Sequence, residues 1–178
     1  MILETERLYL REMTADDHAA LSAVLADSEN MRYYPCAFDG ARVKNWIVRN
    51  QERYLRDGFG LWAVCLKETG ELIGDCGLTM QRINGTIRPE IGYHIRRDCQ
   101  RKGYAKEAAS AVRDWAFSHT SFRFLYSYMK KSNTPSSATA RSLGMHLVEE
   151  YRDEEGEQTV VYATAAQKKG KAHDAQTD

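Results

Sequence analysis

Apolar residues recur along the chain with two periods, and each period predicts a different kind of element. Residues 5–13 alternate apolar and polar side chains, which is typical of a half-buried strand. Helical spacing follows at residues 14–25, where polar and acidic residues offer a cap and first turn, and returns at 41–56. Asp57-Gly58 is expected to end this second helix. The first third of the chain therefore predicts one strand and two helices.

The middle of the chain is rich in strand patterns. Strands are predicted at residues 61–66, 72–80 and 87–95. Asn84-Gly85 lies between the last two, and an Asn-Gly pair between strand patterns is a strong signal for a β-hairpin. Three antiparallel strands in series are expected.

The rest of the chain mixes both periods. The predicted order of elements is βααβββαβαββ, in a single α/β domain of the α+β type whose mostly antiparallel sheet is flanked by helices. The domain is expected to span residues 1–166, followed by a polar, disordered tail at 167–178. The remaining elements are a helix at 103–118, a strand at 124–128, a helix opened by Asn133 and stopped by Gly144, and strands at 146–152 and 159–163.

Charge and composition narrow the possible functions. The 25 basic and 25 acidic residues balance to zero, which argues against a nucleic-acid-binding protein, although a local basic cluster stays possible. No apolar run approaches the ~20 residues of a membrane span, and the N-terminus lacks the pattern of a signal peptide. A cytoplasmic protein is expected, with its cysteines reduced and buried. These cysteines are Cys36, Cys65, Cys76 and Cys99.

Candidate chemistry concentrates in residues 90–105, where a strand runs into a basic loop that opens onto a long helix. The first amides of a helix lack internal partners and attract anions, and Gly103 would let a pyrophosphate approach the backbone. On this local pattern alone, a simple strand-to-helix turn with solvated charges is an equal alternative. The cations available to an anion are Arg96, Arg97, Arg101 and Lys102.

Four motifs in order make the chain resemble the GCN5-related N-acetyltransferase (GNAT) superfamily, most closely the branch of ribosomal-protein alanine N-acetyltransferases. Together they extend over about residues 3–164, nearly the whole chain, and are far more specific than any one of them. The motifs are Glu-Thr-Glu-Arg-Leu-Tyr-Leu-Arg at residues 4–11, the hairpin residues 59–64 with 70–74, residues 90–93 through 100–105, and Asn133-Thr134-Pro135-Ser136 with 143–145.

The resemblance implies acetyl-CoA as cosubstrate, without a metal. The backbone of His94, Ile95 and Arg96 would pair with the pantetheine arm like an added strand. This requires the strand to separate from its neighbour, and Gly92 suits such an irregularity. A backbone amide near Tyr93 or His94 could polarise the thioester carbonyl. Asn133 would also reach the arm, and the pyrophosphate would bind the loop formed by Gln100, Arg101, Lys102, Gly103, Tyr104 and Ala105.

Two catalytic residues follow from the same resemblance. Glu90 matches the position of a catalytic glutamate and would act as the base that neutralises an amine; the alternative is a surface carboxylate paired with Arg88 or Arg97. Ser136 matches a serine that some relatives use for the departing thiolate, although it could instead satisfy nearby backbone amides. Many relatives place a tyrosine where this chain has Ala140, so a tyrosine acid is in doubt.

The function implied is N-acetyl transfer to a primary amine, on a protein N-terminus or a small molecule. An alternative is a catalytically degenerate sensor of acyl-CoA; a nucleoside-triphosphate enzyme ranks last because the P-loop pattern is missing. The five histidines show no metal-ligand spacing. Neither nucleic acid nor a membrane is an expected partner, and a homodimer is possible because dimers are common among relatives. Four aromatic residues suit either the core or the lining of an acceptor pocket: Tyr33, Tyr34, Phe38 and Trp46.

Overall fold

A computed structural model describes residues 1–167, which contain eight strands and four helices. The strands are β1 (Leu3–Glu4), β2 (Leu8–Arg11), β3 (Leu61–Leu66), β4 (Leu72–Ile83), β5 (Thr86–Ile95), β6 (Phe124–Lys130), β7 (His146–Arg152) and β8 (Gln158–Ala165). The helices are α1 (His18–Leu25), α2 (Gly40–Asp57), α3 (Tyr104–His119) and α4 (Thr134–Ser142). The tail expected to be disordered lies almost wholly outside the described residues.

The strands form one sheet in the order β1-β2-β3-β4-β5-β6-β8-β7, in which only β5 and β6 are parallel neighbours. The predicted fold class and order of elements are confirmed, with one difference at the start. The first strand is interrupted at residues 5–7, so that β1 and β2 form a hairpin. Glu107 of α3 stabilises this turn, because it accepts hydrogen bonds from Thr5 Oγ1 at 2.6 Å and from Arg7 N at 2.8 Å.

Local signals end the elements where the sequence predicts. Asp39 caps α2 by accepting a hydrogen bond from Arg42 N at 2.8 Å, and Gly58 ends that helix with a φ of 76°. Asn84 and Gly85 have φ values of 45° and 79°, as a tight hairpin turn requires. These residues act on their immediate neighbours, which is why they could be interpreted from the sequence.

The two faces of the sheet bury separate apolar clusters. Trp62, Ile91 and Val112 belong to the cluster between the sheet and α3, whereas Leu21 and Ile47 belong to the cluster beneath α1 and α2. Side chains alternate between faces along a strand. Since Ile91 faces α3, the even-numbered residues of β5 from position 90 to 94 face α1 and α2.

The sheet opens between β5 and β6. Their pairing is limited to Glu90 opposite Tyr126, and Ser127 Oγ adds a hydrogen bond to the carbonyl of Ile91 at 3.2 Å. Beyond this point β5 continues to Ile95 without a partner strand on that side. The separation that pantetheine binding would require is therefore present.

The cysteines depart in part from expectation. All four are free, and Cys65, Cys76 and Cys99 are buried as predicted. Cys36 is exposed, so the prediction of burial was wrong there, because it lies in the loop between α1 and α2 and outside both apolar clusters. In the described part of the chain, no helix has the length and apolarity needed to cross a membrane.

Candidate active site

A groove of about 1270 Å³ crosses the sheet where β5 and β6 separate. It reaches the N-terminus of α3 and the loop between α1 and α2, which are joined by a hydrogen bond from Gln100 to Asn30, and it extends to the turn between β4 and β5 and the loop between β7 and β8. Most of the predicted site residues line it. They are Glu90, His94, Ile95, Gln100, Arg101, Gly103, Tyr104, Ala105, Asn133 and Ser136.

The N-terminus of α3 is open toward the groove. Gly103 is the residue before the helix, with a φ of 85°, and no side chain caps the helix. The first helical bond is donated by Glu107 N to Gly103 O at 3.0 Å, so the amides of Tyr104, Ala105 and Lys106 have no acceptor within the helix. Outward-pointing amides and the positive end of the helix dipole make this terminus suitable for a phosphate.

Only part of the basic cluster is available to an anion. Arg96 binds the carboxylates of two acidic side chains at 2.7 and 2.6 Å, and Arg97 approaches another at 3.5 Å. Arg101 and Lys102 make no ion pair with any residue between 1 and 167, and Arg101 also lines the groove. Arg101 is therefore a cation that lines the groove and has no ion pair within residues 1–167.

The free edge of β5 shows which of the backbone groups predicted to bind the pantetheine arm face the opening. Arg96 N donates to Ile73 O of β4 at 2.8 Å, and antiparallel register places the backbone groups of His94 on the same side. The backbone groups of Tyr93 and Ile95 consequently face the opening. Ile95 O accepts a hydrogen bond from Gln100 Nε2 at 2.9 Å. Of the two amides predicted to polarise the thioester carbonyl, that of Tyr93 faces the opening, and His94 contributes to the groove with its side chain.

Glu90 lies on the floor of the groove, on the α2 face of the sheet. Its Oε2 accepts a hydrogen bond from Thr79 Oγ1 at 3.0 Å, and a Cβ at position 92 would lie 3.2 Å from the same oxygen, so Gly92 avoids a close contact with the carboxylate. The ion pair considered as an alternative does not form, since Arg88 binds another carboxylate at 2.7 Å and Arg97 lies against a different residue. Glu90 makes no ion pair within the described chain.

The protonation of Glu90 suits a base working near neutral pH. Burial raises the pKa of Glu90 to about 7, against the opposing effects of the Thr79 hydrogen bond and the nearby charges of His94 and Arg53. A base is most efficient when its pKa is close to the working pH. Position and environment together make Glu90 a candidate proton acceptor.

The N-terminus of α4 forms another wall of the groove. Asn133 caps the helix by accepting a hydrogen bond from Ser136 N at 3.2 Å. Ser136 Oγ lies 3.0 Å from Tyr93 Oη, which also donates to the Ser136 carbonyl at 3.0 Å. Ala140 is fully buried and offers no polar group to the groove.

A buried polar network beneath the loop between α1 and α2 was not predicted from the sequence. Asp75 is completely buried and hydrogen-bonds His94 Nδ1 at 2.7 Å and Trp46 Nε1 at 2.8 Å, while His94 Nε2 contacts Tyr34 Oη at 2.7 Å. Burial alone would lower the pKa of His94, but the Asp75 carboxylate outweighs it and the pKa is raised. The only signal of this network in the sequence is Asp75, a carboxylate within the otherwise apolar run 72–78. Tyr34, Trp46 and Phe38 all line the groove.

Residues 7–146 match the family model described as the Acetyltransferase (GNAT) domain. The chain belongs to the GNAT acetyltransferase family. It is 35% identical over 145 residues to the uncharacterised protein YkkB of Bacillus subtilis, covering 81% of this chain and 84% of that one. It is 31% identical over 166 residues to the uncharacterised N-acetyltransferase p20 of Bacillus licheniformis, covering 90% and 92%.

The fold is also shared with the ribosomal-protein branch that the motifs resemble. The solved structure of RimL, an alpha-N-protein acetyltransferase of a ribosomal protein in complex with coenzyme A, superposes with a TM-score of 0.77 at 18% identity. The match covers 92% of this chain and 97% of that one. GNAT domains use acetyl-CoA, and this GNAT domain has the open helix terminus and strand edge that such a cosubstrate would need. Residues 1–167 hold no cluster of ligands for a metal ion.

Proposed function

We propose that this GNAT protein transfers the acetyl group of acetyl-CoA to a primary amine, with Glu90 as the general base. The observation that carries the proposal is the position of Glu90. Its carboxyl group, partly buried and free of ion pairs within residues 1–167, lies where β5 and β6 separate. The same groove contains the open N-terminus of α3.

Acetyl-CoA would bind along the groove through groups of this chain alone. The amides of the loop 100–105 would hold the pyrophosphate, with Arg101 and Lys102 supplying positive charge. The free backbone groups of Tyr93 and Ile95 would pair with the pantetheine arm. The capping role of Asn133 leaves its Nδ2 available to the arm, because the oxygen is the atom that accepts from the helix.

The acceptor would enter from the side of α1 and α2, opposite α4. An ammonium group loses a proton to Glu90, directly or through a water molecule, and the neutral nitrogen attacks the thioester carbon. The Tyr93 amide would donate a hydrogen bond to the carbonyl oxygen as negative charge develops there. When the carbon–sulfur bond breaks, its electron pair leaves with the CoA sulfur, and the second proton lost by the attacking nitrogen passes to that sulfur or to solvent. The products are an acetamide and CoA.

The acceptor is an amine on a protein N-terminus or on a small molecule. RimL, which shares the fold, is an alpha-N-protein acetyltransferase, and an α-amine has a reference pKa of roughly 7.7 to 8.0. A base whose pKa is about 7 matches such an amine more closely than it matches lysine, at roughly 10.4. A cytoplasmic location and a homodimer remain predictions of the sequence.

Calorimetric titration with acetyl-CoA, CoA and ATP tests the cofactor, and release of thiol in the presence of amines tests the reaction. We expect binding of both CoA species, no binding of ATP, and thiol release that depends on an amine. Absence of CoA binding would refute the groove as a cofactor site. Binding without turnover of α-amines, lysine or polyamines would instead favour the sensor that Ala140 makes conceivable.

A further inference from the structure

Two arginines of α2 border the groove without a carboxylate partner. Arg49 lines the groove and is exposed, and Arg53 lies one helical turn further along and is half-buried. Positions four residues apart lie on the same face of a helix, and like charges at this spacing destabilise it. Neither arginine forms an ion pair with any residue between 1 and 167. The described chain therefore holds two positive charges together at the groove and supplies no acidic group to neutralise them.

The course of α2 over the sheet brings Arg53 close to Glu90. Trp46 Nε1 donates to Asp75 of β4 at 2.8 Å, and Asn50 Oδ1, one turn later, accepts from the first amide of β3 at 2.9 Å. These contacts direct α2 along β4 toward the level of Glu90. Burial raises the pKa of Glu90, and the positive charge of Arg53 opposes that rise, as a nearby cation does.

Most hydrogen-bond donors of the two arginines are unused. A guanidinium has five N–H donors. In the described chain Arg53 donates only from Nη1, to Asn50 Oδ1 at 3.1 Å, and Arg49 makes no side-chain hydrogen bond. No buried side-chain nitrogen within residues 1–167 lacks a partner, so the free donors of Arg53 reach solvent. Arg42, on the same face of α2, is instead occupied, because its Nη1 lies 2.7 Å from Cys36 Sγ and its guanidinium lies over an aromatic ring.

The loop between β7 and β8 brings negative charge to another part of the groove. Its residues 153–155 are acidic and line the groove, but two of them are already engaged. Asp153 accepts hydrogen bonds from the amides of Glu155 and Glu157 at 3.0 and 2.8 Å, and Glu155 approaches Lys130 at 3.4 Å. Charge without a partner is thus concentrated on the α2 side, where it is positive. This distribution favours an acceptor that carries an anionic group.

We propose that Arg49 and Arg53 bind a carboxylate of the acceptor, so that the substrate is an amine that carries a carboxylate close to the reacting nitrogen. The inference rests on the proposed acetyl transfer. A guanidinium presents paired donors that match the two oxygens of a carboxylate. With its carboxylate on the two arginines, the acceptor would direct its ammonium group toward the opposite charge of Glu90. An amino acid and a peptide with an acidic residue near its N-terminus share this chemistry.

Two dipeptide amides that differ by one charge test the inference. Ala-Glu-amide and Ala-Gln-amide have the same reacting amine and nearly the same shape. The wild type should acetylate the glutamate peptide with a kcat/KM roughly tenfold above that of the glutamine peptide, and added salt should reduce the ratio. Free glutamate and glutamine form the second arm. The faster of free glutamate and Ala-Glu-amide identifies the source of the carboxylate, and either result supports the inference if the glutamine counterpart is the poorer substrate.

Substitution of the arginines should reduce the ratio of the two kcat/KM values. Arg49→Gln and Arg53→Gln should each lower it roughly three- to tenfold, and the double variant should bring it to about one. Arg49→Glu should shift the preference toward Ala-Lys-amide. The ratio cancels effects on Glu90 and on CoA binding, because both peptides depend on them equally. Arg56→Gln is the matched control and should leave the ratio unchanged, since Arg56 lies on the same helix but is paired with Asp57 at 2.7 Å.

Binding of the products gives a readout that is independent of turnover. With CoA present, N-acetyl-Ala-Glu-amide should bind roughly tenfold more tightly than its glutamine counterpart in calorimetry, and Arg49→Gln should remove most of this difference. Arg49 is exposed and makes no side-chain hydrogen bond within residues 1–167, so this variant decides the matter even where Arg53→Gln does not fold.

Equal kcat/KM values for the glutamate and glutamine peptides would overturn the inference, while their acetylation would still support the acetyltransferase. A wild-type preference for Ala-Lys-amide would also overturn it and would assign the acceptor to the acidic loop between β7 and β8. Absence of thiol release with every amine would instead overturn the proposed function itself. The inference and the proposed function can therefore be told apart when one of them fails.

Discussion

Replacing Glu90 by glutamine removes a charge from the groove while keeping the shape of the side chain. Thr79 Oγ1 can donate to the amide oxygen as it does to the carboxylate, at 3.0 Å in the wild type. Burial raises the pKa of Glu90 from 4.5 to about 7, so the folded protein holds this proton over a range where the unfolded chain has lost it. Stability contributed by the protonated carboxyl is present below the unfolded pKa and is lost as the pH rises toward 7.

The size of this effect follows from the pKa difference. Each unit of difference between the folded and unfolded pKa corresponds to about 1.4 kcal/mol. Ionised Glu90 therefore lowers the stability of the folded state by about 3 kcal/mol above neutral pH. Between about pH 5 and pH 8, the free energy of unfolding of Glu90→Gln should rise by about 2.5 kcal/mol relative to the wild type. The comparison cancels the pH dependence of groups that do not interact with Glu90, and any constant effect of the amide; His94 is coupled to Glu90 and its titration contributes to the difference.

The assay is urea denaturation of both proteins at the two pH values, together with pH–rate profiles. The wild-type kcat/KM should increase tenfold per pH unit below 7 and level off above it, because only the ionised carboxylate accepts a proton. Glu90→Gln should lose roughly 10²- to 10⁴-fold in rate and this inflection with it, yet retain CoA affinity.

Glu149→Gln is the control with the opposite sign, because hydrogen bonds from Asn84 and Arg88 lower the pKa of Glu149. This variant should gain no stability at the higher pH. A stability difference between Glu90→Gln and wild type that is flat with pH would refute the raised pKa. An unchanged pH–rate profile in Glu90→Gln would refute the role of Glu90 as base.

Three further outcomes are expected. Gly103→Ala should weaken CoA binding at least tenfold. Gly58 has a similar positive φ but no groove nearby, so Gly58→Ala should only lower the free energy of unfolding, by roughly 1 kcal/mol. Asp75→Asn should lower the pKa of His94, measured by NMR titration, because the carboxylate that favours the imidazolium is removed; an unchanged pKa would contradict that assignment. CoA affinity measured by calorimetry should fall as salt is added, since cations and helix amides would face the phosphates. An affinity insensitive to salt would argue against a phosphate site at the N-terminus of α3.

Much of the architecture could be predicted because its signals act over short distances. Asn84-Gly85 specifies a hairpin turn by its backbone preferences, and Gly58 and Gly144 stop helices for the same reason. Gly103 at the head of a long helix likewise made the anion site foreseeable, since an open helix terminus is a local property. The Glu90 position was reached through ordered motifs, not through any property of the residue alone.

What the tertiary structure decided depends on residues far apart in the chain. Glu107 of α3 binds the turn that interrupts the first strand at residues 5–7, and Arg96 is occupied by Glu71, which no spacing rule could reveal. The pairs Asp75–His94 and Tyr93–Ser136 likewise exist only because packing brings separate elements together.

The sequence by itself determined the order of elements, the family and the loop that opens α3, because turn chemistry, hydrophobic period and helix capping are set by neighbouring residues. The tertiary structure decided which cations remain unpaired, which backbone groups of β5 face the opening, and how strongly Glu90 holds its proton. These properties arise from burial and from contacts across the sheet. A charged group responds to everything packed around it, and only the folded chain specifies those surroundings.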